Sequence, residues 1–226
     1  MPRRKEVHFF DDENINWTAP DYSKYHKFYA GVKGVIAGDI TPIYSYWTSC
    51  AARIKAYNPD MKLILCLRDP VLRAYSHWEM EISRKYDVYK FGAAIRKHRN
   101  RVETDVKSQH GCHRVFSYVE RGFYAPQIER LLEHFPREQI LFLENERMKN
   151  DQHGALDDVC DFVGAAHFES YPPNKTILPT GKRKDLGRIS DEDAAYLAGL
   201  YAEDTYKTAD LAGLDLSHWR SWQPSK

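Results

Sequence analysis

Arg68, Asp69, Pro70 and Ser76 have the types and spacing to bind a phosphate. They lie in KLILCLRDPVLRAYSHW, Lys62–Trp78, where the apolar run Leu63–Leu67 meets an Asp-Pro step. Such a run fits a strand of a parallel sheet covered on both faces. Asp69 can cap a helix whose first residue is Pro70. Arg68 then falls at the carboxyl end of the strand, where open α/β sheets bind ligands. The free N–H groups of the new helix favour negative charge at the same end. Ser76 lies two helical turns beyond Asp69 on one face, and a guanidinium with a hydroxyl beside a helix start suits a phosphate. The plainer alternative is a surface ion pair for Arg68 and a helix-face hydroxyl for Ser76. Spacing does not choose between them.

An αβ layout must position these residues. Val35–Ala37 is a short strand candidate before a loop punctuated by Gly38 and Pro42. A helix over Ile43–Tyr57 and the turn Asn58-Pro59-Asp60 lead into Leu63–Leu67. The helix from Pro70 to about Lys85 carries Leu72, Tyr75, Trp78 and Ile82 near helical spacing, and Lys90–Gly111 reads as a solvated helix and loop. A further helix starts at Pro126, with Ile128, Leu131, Leu132 and Phe135 on one face. Pro136 stops it before the strand Ile140–Leu143. Leu156–Val163 ends at Gly164 as a helix cap, Tyr171–Gly187 is a loop, and Asp191–Thr208 is a last amphipathic helix. Separated apolar strands with helices between them argue an α/β fold, a parallel sheet with helices on both faces.

The 226 residues suit a single domain with a substantial core. Lys+Arg 33 against Asp+Glu 32 leaves a net charge of +1, so no broad nucleic-acid or membrane adhesion is expected. Cys50, Cys66, Cys112 and Cys160 show no paired spacing, which fits a reduced, cytoplasmic protein. No apolar run is long enough to span a membrane, and MPRRKEVHFF has no apolar leader core. His110, Cys112 and His113 lack a second ligand pair at zinc spacing, so no metal is expected there.

The pattern R-D-P-x-x-R-x-x-S-H resembles the 3′-phosphate-binding segment of sulfotransferases that use 3′-phosphoadenosine 5′-phosphosulfate, PAPS. Lys5–Asp11, KEVHFFD, is similar to the segment carrying the catalytic glutamate in the heparan-sulfate type and its bacterial relatives. GDITPIY at Gly38–Tyr44 resembles the family's G-E-x-[ST]-P-x-Y, although animal enzymes carry a lysine where Ile40 falls. RGFYAPQIERLL from Arg121, then FPREQILFL, resembles the later helix and strand; TGKRK at Thr180–Lys184 resembles the basic loop that closes on the donor. LYAEDTYKTADLAGLDLSHW resembles the C-terminal helix and tail, so the likeness runs in order from about Lys5 to Trp219.

The resemblance implies a P-loop-NTPase-like three-layer fold with a central parallel sheet. It implies PAPS as co-substrate, no metal, and a hydroxyl acceptor, a small molecule or a glycan. Glu6 takes the family's base position; in an extended segment Glu6, His8 and Phe10 share a face, so His8 can orient Glu6 or touch the sulfuryl oxygens. Asp11 is placed to hold a basic group. Arg68 and Ser76 are expected on the donor's 3′-phosphate, helped by Gly181, Lys182 and Arg183; Gly181 permits close approach. A solvated basic loop is the plain alternative for the last three. Arg121 and Tyr124 match R-G-x-Y and suit buried structural roles equally well. Trp17, Tyr22, Tyr25, Phe28 and Tyr29 could line a sugar cleft or form a packing layer.

In the resembling enzymes the first strand leads into a P-loop-like turn that wraps the 5′-phosphosulfate. No Gly-Lys-Thr-rich turn follows a strand here, and Met1 stands just before Lys5. The expectation is therefore one sulfotransferase-like domain over residues 1–226, N-terminally truncated, lacking that first strand and nearly inactive in this form. Two functions compete: a PAPS-dependent sulfotransferase, and an inactive relative that binds nucleotide or a partner. A P-loop kinase-like reading is disfavoured by the missing lysine and magnesium carboxylates.

Overall fold

Two apolar runs become the sheet. The computed structural model describes residues 6–31, 34–97, 99–100, 111–174, 186 and 188–223. Strand β1 is Leu63–Leu67 and β2 is Ile140–Glu144. They pair in parallel, Leu65 opposite Phe142 and Leu67 opposite Glu144, which demands a long crossover between them. The crossover contains α3 (Pro70–Ser83), α4 (Phe91–Arg96), α5 (Cys112–Val115) and α6 (Ala125–His134). Before β1 come α1 (Ser23–His26) and α2 (Cys50–Tyr57); after β2 come α7 (Asn145–Asn150), α8 (Gln152–Val163) and α9 (Asp191–Ala212).

Local chemistry accounts for the helix ends. Asp69 caps α3 by accepting from the N–H groups of Val71 and Leu72, with Pro70 at the first position. Ser190 caps α9 through the Asp193 N–H, and three acidic residues in its first turn suit the helix dipole. Gly164 closes α8 at φ 77°, a conformation that costs glycine nothing.

One core cluster joins β1, β2, α2, α6, the segment Val7–Phe10 and the C-terminal tail through Leu67, Ile54, Ile128, Leu131, Phe142 and Trp219. Each such side chain, fully buried, stabilises the fold by about 1.5–3 kcal/mol. A second cluster packs α3 and α4 against α9 and Tyr118, with Val71, Trp78, Ile95, Leu197 and Tyr201 at its centre. No helix of the described residues is long and apolar enough to cross a membrane.

Three expectations change. Val35–Ala37 forms no strand; Val35 and Ile36 lie exposed, since three apolar residues that pair with no described strand gain little from extension. The helix expected from Ile43 is a 3₁₀ turn at Pro42–Tyr44 followed by α2 only from Cys50; Tyr44–Ser49 is built of poor helix formers. Among the described residues the cover over β1 is incomplete on one face. Leu63, Leu65 and Leu67 face the first core, but Ile64 is 42% exposed and Cys66 is exposed on the other face. Helices α7 and α8 lie against β2, and Asn145 of α7 reaches Cys66, so among the described residues Ile64 is the part of that face left most open. Among the described residues β1 has no strand on the edge away from β2.

Candidate active site

Two motifs far apart in type make one cradle. Asp39 accepts hydrogen bonds from the hydroxyls of Thr41 (2.8 Å) and Tyr44 (2.9 Å). The Tyr44 oxygen in turn accepts the Phe9 N–H at 3.0 Å, and the Glu6 N–H donates to the Ile40 carbonyl at 3.2 Å. GDITPIY thus holds KEVHFFD by its backbone. From the other side Arg53 of α2 donates to the Phe10 carbonyl at 2.8 Å and pairs with Glu13 at 2.7 Å. Val7, Phe9 and Phe10 are driven into the core, which leaves Glu6 and His8 partly exposed.

This segment is not an extended strand. Glu6 and His8 both have positive φ, 57° and 55°, a region that costs side-chain-bearing residues about 1–3 kcal/mol and gathers at functional sites. Alternation along a strand therefore does not explain the pairing; Phe10 is buried away from His8. The pairing itself is present. His8 Nε2 lies 3.5 Å from Glu6 Oε2, and His8 Nδ1 lies 2.9 Å from Asp11 Oδ2. Asp11 is fully buried and receives Arg114 twice, on Oδ2 and on its carbonyl oxygen. The guanidinium of Arg114 also sits over the Trp47 ring, 4.0 Å from its centre.

The electrostatics follow from these contacts. The hydrogen bonds to Asp11 and then Glu6 raise the His8 pKa from 6.5 to about 9, against partial burial. His8 is therefore an imidazolium at neutral pH. Burial alone would push the Asp11 carboxyl up; the His8 hydrogen bond and the Arg114 charge instead hold it below its ordinary value. An exposed carboxylate beside a fixed cation can take a proton from a hydroxyl while positive charge faces whatever anion approaches.

Arg68 and Ser76 stand where expected, at the end of β1 and on the partly buried face of α3. Tyr124 fixes the Arg68 carbonyl with its hydroxyl at 2.8 Å, and the Arg68 Nε is buried with no hydrogen-bond partner among the described residues. A guanidinium left with unused donors suits an anion. The helix N-terminus does not serve as expected. Asp69 already takes the Val71 and Leu72 N–H groups, and its second oxygen accepts the Arg220 N–H at 2.6 Å. Those donors are therefore consumed and a carboxylate is in place at the helix start. Gly181, Lys182 and Arg183 lie outside the described residues.

The segment from Arg114 to Tyr124 links the two half-sites. Arg114 grips Asp11, the Tyr118 carbonyl receives Arg73 of α3, and Tyr124 holds Arg68. Arg121 is partly buried, donating to the Arg114 carbonyl at 2.7 Å and to Ser117 at 2.8 Å. Burial and the nearby Arg73 bring its pKa down to about 10. Gly122 lies so close to Tyr201 that a Cβ would fall 2.6 Å from the ring, so packing requires the glycine of R-G-x-Y. Sequence reasoning missed Arg114, which sits in a four-residue helix of no recognisable pattern; its only signal was that Asp11 needed a cation. His77, next to Ser76, is buried against Tyr118 and stays neutral, since burial and then neighbouring arginines hold its pKa well below 6.5. Of the aromatic group, Tyr25 is buried, and Trp17, Tyr22, Phe28 and Tyr29 pack against the first core. A cleft of about 1040 Å³ opens beside α3, lined by Tyr75, Trp78, Tyr89 and Phe91 with the start of α9; Glu6, His8, Arg68 and Ser76 do not line it.

Residues 47–173 match the sulfotransferase domain family. The chain is 34% identical over 202 residues to the heparan sulfate glucosamine 3-O-sulfotransferase 3B1 of Mus musculus, covering 81% of this chain and 47% of that protein. It is 33% identical over 162 residues to the 3A1 enzyme of Homo sapiens, covering 70% and 36%. The chain thus spans about half the length, or less, of these curated relatives. A sulfotransferase crystal structure from Alicyclobacillus acidocaldarius superposes with a TM-score of 0.79 at 26% identity, covering 97% of this chain and 87% of that one. The shared architecture bears out the α/β, P-loop-like fold. With its motifs, its fold and more than half its length in agreement, the chain belongs to the sulfotransferase domain family.

Proposed function

We propose that the protein transfers a sulfuryl group from PAPS to a hydroxyl of a carbohydrate, with Glu6 as general base. The observation that carries this reading is the meeting of Glu6 and His8 at 3.5 Å on a strained segment held by buried Asp11. Glu6 takes the proton of the acceptor hydroxyl; the freed oxygen attacks sulfur; the sulfur–oxygen bond to the 5′-phosphate breaks, and adenosine 3′,5′-bisphosphate leaves. Proton removal of this kind contributes about 10²–10⁴-fold. His8, as a cation, faces the charge that gathers on the sulfuryl oxygens, by analogy with phosphoryl transfer. Arg68 and Ser76 take the donor's 3′-phosphate, for which the unpartnered Arg68 Nε is the fitting feature. The names of the relatives, heparan sulfate glucosamine 3-O-sulfotransferases, favour a glucosamine-containing glycan.

The test is to incubate the protein with radiolabelled PAPS and, separately, a 3-O-unsulfated heparan sulfate chain and simple phenols. Sulfate on the glycan is the expected result of this reading, in place of the near-inactivity that the sequence alone leads us to expect of these 226 residues. Sulfate on phenols alone would remove the carbohydrate acceptor. Nucleotide binding with no transfer to any acceptor would favour a binding protein over an enzyme.

A further inference from the structure

We propose that Arg114 is a positioning residue of the transfer site: acting through Asp11, it fixes the imidazole of His8 and hence the placement of His8 against Glu6. The inference rests on the reading of Glu6 and His8 as the reacting pair. Asp11 is the pivot. Its Oδ2 is shared by His8 Nδ1 and Arg114, while its Oδ1 is buried with no hydrogen-bond partner among the described residues. A buried carboxylate with one unsatisfied oxygen gains by rotating or by drawing in water unless something holds it. Arg114 holds it at two points, the carboxylate and the same residue's carbonyl oxygen, which fixes side chain and backbone together. A single ammonium would not hold both with a rigid fork.

Arg114 is itself held. Its guanidinium lies over Trp47, its carbonyl receives Arg121, and Trp47 donates through Nε1 to Glu13 at 2.5 Å. The guanidinium is buried and reaches the site from α5, more than a hundred residues along the chain from Asp11. A second arginine, Arg53, grips the same segment at Phe10 and Glu13 and lies over Trp17 at 4.2 Å. It does not touch Asp11's carboxylate in any described bond, so it anchors the segment without setting His8. The two arginines therefore separate positioning from simple anchoring.

The readout is the titration of His8, followed by NMR of its ring in wild type, Arg114→Ala, Arg114→Lys and Arg53→Ala. The charged groups acting on His8 are Asp11 and Glu6 from its own segment; Arg114 from α5 acts behind Asp11, and Glu13 with Arg53 of α2 lies beyond. Removing a nearby cation without moving anything would leave the His8 midpoint where it is or raise it. Losing the aimed Asp11 hydrogen bond, the largest cause of the raised value, lowers it. The proposal predicts a midpoint about one pH unit or more lower in Arg114→Ala. A smaller fall is expected in Arg114→Lys, which also serves if the alanine variant does not fold, and none in Arg53→Ala. An unchanged or raised midpoint in the folded Arg114 variants overturns the proposal, as does an equal fall in Arg53→Ala. The titration needs no turnover, so its failure is distinct from a failure of the transfer assay.

Discussion

His8 ties the stability of the fold to pH, and the sign is fixed by the direction of its shift. Its pKa rises from 6.5 in a free imidazole to about 9 in the folded protein, so folding binds a proton. The stabilisation is fully present below about pH 6.5 and is lost as the pH climbs through about 9. At about 1.4 kcal/mol per pH unit the ceiling is about 3 kcal/mol. The ring is 32% exposed and its partner Glu6 40% exposed, so solvent screening brings the expected contribution to about 1–2 kcal/mol. Urea unfolding of wild type and His8→Gln at pH 6 and pH 10 measures it. Other groups titrate alike in both proteins and cancel in the difference. Wild type should lose about 1–2 kcal/mol more than His8→Gln between the two pH values. Equal losses would refute the assignment of a proton-binding His8 between Glu6 and Asp11.

Other outcomes follow from single contacts. Arg68→Ala should weaken binding of adenosine 3′,5′-bisphosphate about ten- to hundredfold by calorimetry, the worth of about 1.5–3 kcal/mol in a charge-assisted bond. Asp69→Ala removes the α3 cap and the part-buried Arg220 N–H bond; a loss of about 1–3 kcal/mol in urea unfolding is expected. Gly122→Ala drives a methyl into the Tyr201 ring, whose hydroxyl is fixed on the Val119 carbonyl at 2.8 Å, and should cost about 1–3 kcal/mol.

The β1–α3 junction was the most legible part of the chain because its signals are local. An apolar run, an Asp-Pro step and a helical apolar stripe act over a few residues, and the strand, cap and helix formed where they predict. Ala125–His134 and Ile140–Glu144 were readable for the same reason. What failed depends on distant partners. Val35–Ala37 has strand composition but pairs with no described strand, and Tyr44–Trp47 gave up helix for ring packing and the Asp39 bond. The same limit applies to the site. Glu6 and His8 were visible through a resemblance, yet their left-handed backbone was not, since it is imposed by Val7 and Phe9 sinking into a core assembled from elsewhere. Arg114 was invisible because only the folded chain brings it to Asp11. The anion-binding helix start was misjudged for a physical reason: a cap that ends a helix well also uses up the donors a ligand would need.

Sulfuryl transfer from PAPS to heparan sulfate by wild type and Glu6→Gln, compared at saturating donor, puts the central claim to its most direct test. Gln keeps the shape of Glu6 and removes its basicity. The account predicts transfer by wild type and a rate lower by about 10²–10⁴ in the variant, with unchanged affinity for adenosine 3′,5′-bisphosphate because Arg68 and Ser76 are untouched. Wild-type rates in Glu6→Gln would contradict Glu6 as the base, and an absence of transfer by wild type that still binds the nucleotide would contradict the enzyme.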